Sequence, residues 1–211
     1  MTAPTIKHPV PYYSQWESAG LVPDFVTGTR DAATDPLWMK SGADTPQEYA
    51  FWAPRMCGVA CLRMALDFWG HPVPPSVPLV HELVEAGAYV REGDTVKGLI
   101  YQPFARHVTA RWGIEARSVP DLPVSEIQQA LDGGALVMLS VHKTIRTLDP
   151  TPAGKGGHLV LAVGATPDHV LVNNPSGFPT NASQQSAPVP WSDLGRFYAG
   201  RGIILEGGLR G

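Results

Sequence analysis

The sequence predicts an α+β fold in which a helical N-terminal half packs on an antiparallel β-sheet formed by the C-terminal half. Apolar residues recur with helical spacing in the first half, most clearly over residues 57–69. Short apolar runs bounded by Gly, Pro and Asp dominate the second half, which is typical of strands. A length of 211 residues with 44% hydrophobic content suits one domain, residues 1–211, with a sizeable core.

The first half begins with a short extended segment, residues 8–16, and a Gly/Asp/Thr/Pro-rich stretch, residues 17–55. The stretch lacks sustained periodicity and predicts an insertion-like loop. Its aromatic residues predict that it packs on the body of the protein, because disordered segments are poor in aromatics. A lid over the substrate and simple surface packing remain open alternatives. Helices are predicted over residues 57–69, 77–90 and 98–112, with Gly113 ending the last.

The second half is predicted to hold one strand over residues 114–119 and a short helix that begins at Ser125. Ser125 and Gln128 have the spacing of a capping box. Four further apolar runs predict the rest of the sheet, at residues 135–141, 158–164, 170–174 and 202–205.

Composition excludes several classes of function. The formal net charge is −3 and there is no Lys/Arg cluster, so neither a nucleic acid nor an anionic membrane is indicated as a partner. Residues 1–10 lack the pattern of a secretory leader, and no apolar stretch is long enough to span a bilayer. With two cysteines and no disulfide framework, the sequence predicts a cytoplasmic protein. It does not indicate the oligomeric state.

Cys57 is the first candidate for chemistry because it is predicted to open a helix. A thiol there meets the positive end of the helix dipole and free backbone N–H groups, which favour the thiolate and suit an oxyanion. The alternative is that Cys57 is a small buried apolar residue, as cysteines usually are. Cys61 lies one turn further on the same face and is predicted to belong to the core. The C-x3-C spacing lacks a second cluster, so no metal site is predicted, and no cofactor is indicated.

A cysteine nucleophile needs an imidazole to exchange protons with it, and the chain has seven histidines. His158 is the preferred candidate because it follows two glycines and begins a buried strand. His142 is its rival, since it ends the preceding strand.

A third group should orient the imidazole, and the strand at residues 170–174 supplies Asn173 and Asn174. A hairpin that turns at residues 165–167 would pair His158 directly with Asn174, on one face of the sheet. Asn173 would then point to the other face, and a one-residue shift would reverse the assignment. Turn formation before Pro175 is the structural alternative for both asparagines.

Cys57, His158 and Asn174 stand in the chain order of the Cys-His-Asn arrangement of papain-like proteases. Several segments together resemble the bacterial papain-like cysteine peptidases of the bacteriocin-processing, double-glycine type, especially their stand-alone relatives. These segments are residues 10–15, 56–66, 156–164 and 170–175, with a similar tail over residues 191–205. The resemblance leaves out about residues 17–55 and 143–155.

The resemblance implies a papain-like fold in which Cys57 is the nucleophile, His158 the general base and acid, and Asn174 the group that orients the imidazole. It also implies Gln15 as an oxyanion donor, with Gln47 as second candidate. The chain departs from the family in two ways. The family commonly has aspartate where this chain has Asn174, and its glutamine is closer to the cysteine than Gln15, which lies 42 residues ahead of Cys57.

The implied reaction is acyl transfer through an acyl-enzyme, most simply hydrolysis of a peptide or amide bond by a cysteine peptidase. Two alternatives stay open at this point. An amine in place of water would make the protein an amide-forming acyltransferase or ligase in small-molecule or peptide biosynthesis. A protein that kept the fold and lost the chemistry would be a binding module. The predicted partner is a peptide or small acyl or amide substrate, whose identity the sequence does not reveal.

Overall fold

A sheet of seven antiparallel strands is the centre of the computed structural model, which describes residues 5–208. Residues 1–4 and 209–211 lie outside the described residues. They belong to the predicted domain, and residues 1–4 also belong to the segment that was examined for a secretory leader. The helices are α1 (Val22–Thr27), α2 (Pro46–Trp52), α3 (Cys57–Phe68), α4 (Ser76–Glu85), α5 (Tyr101–Trp112), α6 (Val124–Asp132) and α7 (Trp191–Leu194). The strands are β1 (Ile6–Lys7), β2 (Tyr89–Glu92), β3 (Thr95–Gly98), β4 (Glu115–Val119), β5 (Leu136–Val141), β6 (His158–Ala165), β7 (His169–Asn173), β8 (Ala187–Pro190) and β9 (Tyr198–Glu206).

The strand order in the sheet is β4-β9-β5-β6-β7-β8, and β1 pairs with the end of β6. A separate hairpin is formed by β2 and β3. Most helices precede the sheet strands in the chain, so the predicted α+β class, helices first and antiparallel sheet second, is confirmed. Within residues 5–208, no helix combines the length and hydrophobicity needed to cross a bilayer.

The two central strands β5 and β6 are buried along their whole length because layers cover both faces of the sheet. Leu159 and Leu161 pack in one cluster with α3, whereas Val160 and Ala162 pack in a second cluster with α6. This alternation follows the two-residue period of a strand. Helix α3 is therefore held against the sheet at the end where β6 begins.

Helix α3 begins at Cys57, as the sequence predicts. A 3-10 turn that contains Pro54 leads into it, and Trp69 and Gly70, which has φ 72°, end it. Cys61 is fully buried, so its predicted place in the core is confirmed.

The prediction that residues 17–55 form a loop is wrong, because the segment contains α1, α2 and four 3-10 turns. Its centre is the buried Asp35, whose carboxylate accepts hydrogen bonds from the backbone N–H of Ser18 (3.1 Å) and the hydroxyls of Ser18 and Tyr49 (2.5 Å each). These contacts join residues 14 and 17 positions apart, which a search for local periodicity does not detect. The predicted packing is confirmed, since Tyr49 and Trp52 are fully buried.

Two predicted helices have different bounds in the structure. The helix predicted over residues 77–90 ends at Glu85, because the chain turns at Gly87 (φ 75°) and β2 follows. The helix predicted from Gly98 begins at Tyr101, because Gly98 belongs to β3. Its predicted end at Gly113 is confirmed, with φ 69°.

The predicted capping box at Ser125 and Gln128 is wrong. Helix α6 begins one residue earlier, at Val124, with Pro123 at the N-cap and no side-chain cap. Ser125 consequently lies inside the first turn, where its hydroxyl does not have the geometry of a cap.

The predicted register of the β6–β7 hairpin is wrong by two residues. Ala162 faces Val172, not Val170, and a bulge follows before Gly164 faces Leu171. Strand β6 runs further than predicted, and the turn after it is tightened by Thr166, whose Oγ1 accepts the backbone N–H of His169. On the His158 side of the bulge, this shift of two residues leaves each side chain on its predicted face.

Candidate active site

A pocket of about 280 Å³ lies where the N-terminus of α3 meets the start of β6. It is lined by Cys57, Gly98, Leu99, Tyr101, Ser140, Gly157, His158, Leu159 and Arg201. A larger depression of about 710 Å³ lies beside α6, but no cysteine or histidine lines it. Because nucleophilic chemistry needs such groups, we take the smaller pocket as the candidate site. It brings together two of the predicted residues, Cys57 and His158.

Cys57 is half-buried in this pocket. Burial raises the pKa of its thiol, although the backbone N–H groups of Leu159, Gly58 and Cys57 itself lower it. The expectation that the helix N-terminus favours the thiolate is therefore wrong in its net direction: the backbone effect is present, but desolvation outweighs it. The net effect of these surroundings is that the pKa of the Cys57 thiol is raised above its ordinary value.

The His158 ring is buried and held by Asn174. Its Nε2 lies 2.9 Å from Asn174 Oδ1 and 3.1 Å from Ser176 Oγ. The backbone N–H of Ser176 donates to the same Asn174 oxygen at 3.1 Å, which identifies that atom as the acceptor end of the amide. The imidazole is therefore the donor to Asn174, through Nε2–H.

The pKa of His158 is lowered to about 4. Burial is the main cause, and the charges of Arg146 and His142 lower it further, whereas the hydrogen bond to Asn174 raises it. His158 is consequently neutral near pH 7, and a neutral imidazole is able to accept a proton from a thiol.

The two asparagines have different surroundings, as predicted from their opposite faces. Asn174 is almost fully buried, and its backbone carbonyl accepts a hydrogen bond from the Tyr12 hydroxyl at 2.9 Å. Asn173 instead accepts the backbone N–H of Ser186 at 2.8 Å and donates to the carbonyl of Val10 at 3.4 Å. Asn173 thus fastens the N-terminal segment to the sheet and takes no part in holding the imidazole.

Gln15 does not line the pocket. Its side chain is buried, and its Nε2 donates to the carbonyl of Ala53 at 2.9 Å, four residues ahead of Cys57. Its backbone N–H donates to the carbonyl of Pro175 at 3.0 Å. Gln15 therefore connects the segment before Cys57 with the segment after Asn174.

The rival candidates lie elsewhere. His142 caps a 3-10 turn, with its Nδ1 2.9 Å from the Thr144 hydroxyl, and does not line the pocket. Gln47 is exposed on α2.

Ser176 is a site residue that the sequence prediction does not include, because the segment after Asn174 predicts only a turn. The available signal was its position two residues after Asn174, where a hydroxyl readily returns to the asparagine side chain.

The fold and the site define a class: an α+β protein of papain-like fold, with a cysteine at a helix N-terminus and a strand histidine in one pocket. Residues 7–199 match the Peptidase_C39 like family, and the chain belongs to that family. The predicted resemblance to the double-glycine peptidases is thereby confirmed, and family and fold support a function of the cysteine-peptidase type.

Two solved structures share the fold. One is a Bacillus anthracis protein described as a C39-like peptidase, with a TM-score of 0.58 and 12% identity over 99% of this chain and 100% of that one. The other is the peptidase domain of Streptococcus ComA, a bifunctional ABC transporter involved in quorum sensing, with a TM-score of 0.50 and 16% identity. That match covers 73% of this chain and 93% of the ComA domain. No curated protein is significantly similar to the chain.

Proposed function

We propose that the protein is a cysteine peptidase that hydrolyses a peptide or amide bond through an acyl-enzyme on Cys57. The observation that carries the proposal is the 2.9 Å contact between His158 Nε2 and Asn174 Oδ1. The same histidine shares a pocket with Cys57, which is the only half-buried cysteine among the described residues. Because Nε2–H of His158 donates its hydrogen bond to Asn174, Nδ1 is the ring nitrogen that remains to exchange a proton with Cys57.

In the proposed reaction His158 Nδ1 takes the Cys57 proton as the sulfur attacks the carbonyl carbon, and a tetrahedral oxyanion forms. The imidazolium then gives that proton to the leaving amine, and the C–N bond breaks to leave a thioester on Cys57. Water attacks the thioester while His158 accepts one of its protons. The acid product departs when the C–S bond breaks and the thiol recovers its proton. The raised thiol pKa and the lowered imidazole pKa favour this neutral starting pair over a preformed ion pair.

Two donors are proposed for the oxyanion. The backbone N–H of Cys57 lies at the start of α3, where it has no carbonyl of a preceding turn to bind. The Gln15 amide is the second donor: one of its two N–H groups binds the Ala53 carbonyl, and the other remains for the oxyanion. The Ala53 contact would hold the amide beside the segment that carries Cys57.

The test is cleavage of a peptide mixture, followed by mass spectrometry, with the wild-type protein and the variants Cys57→Ala and Cys61→Ala. Cleavage that Cys57→Ala abolishes and Cys61→Ala retains supports the proposal. An added amine such as glycine methyl ester distinguishes the acceptor, since a peptidase releases the free acid and a transferase accumulates the amide. Binding without Cys57-dependent product would instead indicate a binding module and contradict the proposal.

A further inference from the structure

Arg201 is the charged residue among those that line the candidate pocket, and neither the family match nor the mechanism assigns it a role. It lies in β9, is exposed, and lines the pocket together with Cys57 and His158. Its side chain makes no hydrogen bond or ion pair with any residue in the described range 5–208. No aspartate or glutamate lines the pocket. An unpaired guanidinium therefore faces a site that lacks its own counter-charge.

The guanidinium lies close to Gly156, two residues before His158. A Cβ at Gly156 would lie 3.1 Å from Arg201 Nη2 and 3.2 Å from Ser140 Oγ. The guanidinium and the serine hydroxyl thus approach the same point. Gly156 also has φ 88°, so a larger residue would be strained there and would push the guanidinium away.

Two hydroxyls of the pocket are also without hydrogen-bond partners in the described chain, those of Ser140 and Tyr101. Ser140 is 2% exposed and lines the pocket, so its hydroxyl is available to a ligand that enters there. One cation and two hydroxyls in one small pocket match the acceptor atoms of a carboxylate, which a guanidinium binds through two parallel hydrogen bonds.

We propose that Arg201, with Ser140 and Tyr101, binds a carboxylate of the substrate, so that the protein prefers acidic peptides or acyl compounds. The inference rests on the proposed function, because it names the substrate class of the same site. A pocket of about 280 Å³ is small, near the lower end of ordinary ligand pockets. The carboxylate is therefore close to the bond that Cys57 attacks. It belongs either to an Asp or Glu side chain beside that bond or to the free C-terminus of a short peptide.

The first test uses alkylation and does not depend on turnover. Iodoacetate and iodoacetamide both alkylate cysteine thiols, and they differ in that only iodoacetate carries a carboxylate. We expect the rate constant for iodoacetate at Cys57, divided by that for iodoacetamide, to fall by about 10-fold in Arg201→Gln. That is the size of effect expected when a charge-assisted hydrogen bond is lost. Arg106→Gln is the control, because Arg106 is an exposed arginine on α5 outside the pocket. A ratio that Arg201→Gln leaves unchanged overturns the inference, whether or not the protein cleaves peptides.

The second test uses peptides built around a cleavage site established with the wild-type protein. One pair exchanges Glu for Gln beside the cleaved bond, and another exchanges a free C-terminus for an amide. We expect kcat/KM to favour the carboxylate form of one pair by about 10-fold to 100-fold, which also identifies the source of the carboxylate. Arg201→Gln should remove the preference, so that kcat/KM becomes equal for the two members of that pair. Equal rates in both pairs, or a preference that survives in Arg201→Gln, overturn the inference, whereas absence of Cys57-dependent cleavage contradicts the proposed function alone.

Discussion

His158 and Asn174 are joined by a 2.9 Å contact between Nε2 and Oδ1. His158 begins β6 and Asn174 follows the last residue of β7, and the two strands pair two residues away from the register that would place these residues directly opposite each other. The Asn174 amide is itself fixed by the backbone N–H of Ser176. The imidazole is thus oriented by a group that has little freedom to rotate. This relationship leads to the first prediction.

Asn174→Ala should lower kcat by about 10-fold to 100-fold, because the imidazole loses the group that holds its tautomer and orientation. Asn174→Asp should keep the orientation and add a negative charge beside Nε2–H, which raises the pKa of His158 from about 4. Since the neutral ring is the base, the acidic limb of the kcat/KM profile should move to higher pH in Asn174→Asp. Profiles for the wild type and both variants check this. An acidic limb that stays in place would contradict the role of Asn174.

His158 should also make stability depend on pH. Its pKa is about 4 when folded and has a reference value of 6.5, so between these values the unfolded chain binds more protons. The contribution of His158 to the free energy of unfolding is therefore fully present above pH 6.5 and is lost as the pH falls towards 4. The loss amounts to about 3 kcal/mol in all. Urea denaturation at pH 7 and pH 4.5 should show a smaller loss for His158→Gln than for the wild type. The same loss in both proteins would contradict the depressed pKa.

Gln15→Ala tests the oxyanion donor. Loss of one donor should lower kcat by about 100-fold, with little change in KM, because the interaction is made only in the transition state. Gln47→Ala is the matched control, since that glutamine is exposed. A Gln15→Ala variant that loses stability but keeps its kcat would assign to Gln15 only the structural contact with the Ala53 carbonyl.

Asp35 should be essential for the stability of residues 17–55. Asp35→Ala leaves buried donors of Ser18 and Tyr49 without their acceptor and should cost about 3 kcal/mol or more. Asp31→Ala should cost about 1 kcal/mol or less, because Asp31 is exposed and caps only a 3-10 turn through the backbone N–H of Ala33. Denaturant unfolding of both variants measures the difference. Equal costs would contradict the central place of Asp35 in this segment.

The sequence was most informative where the physical signal is local. The start of α3 at Cys57 and the end of α5 at Gly113 follow from turn residues and helical spacing, and both are confirmed. The face shared by His158 and Asn174 was predicted from the two-residue period of strands, which a shift of two residues preserves.

The signals that failed depend on contacts between distant residues. The network around Asp35 joins residues far apart in the chain, so residues 17–55 were predicted as a loop. The bulge in β6 and the length of its turn were set by pairing with β1 and β7, which no local pattern encodes. The net pKa of Cys57 depends on burial by the whole fold and overturned the local argument from the helix terminus.

The most direct test of the central claim is a rapid acid quench of the protein with a cleaved peptide, followed by intact-mass and peptide-mapping spectrometry. The account predicts a thioester adduct on Cys57 whose mass equals the acyl half of the peptide, present in the wild type and Cys61→Ala and absent in Cys57→Ala. An adduct on another residue, or peptide cleavage that persists in Cys57→Ala, would contradict it.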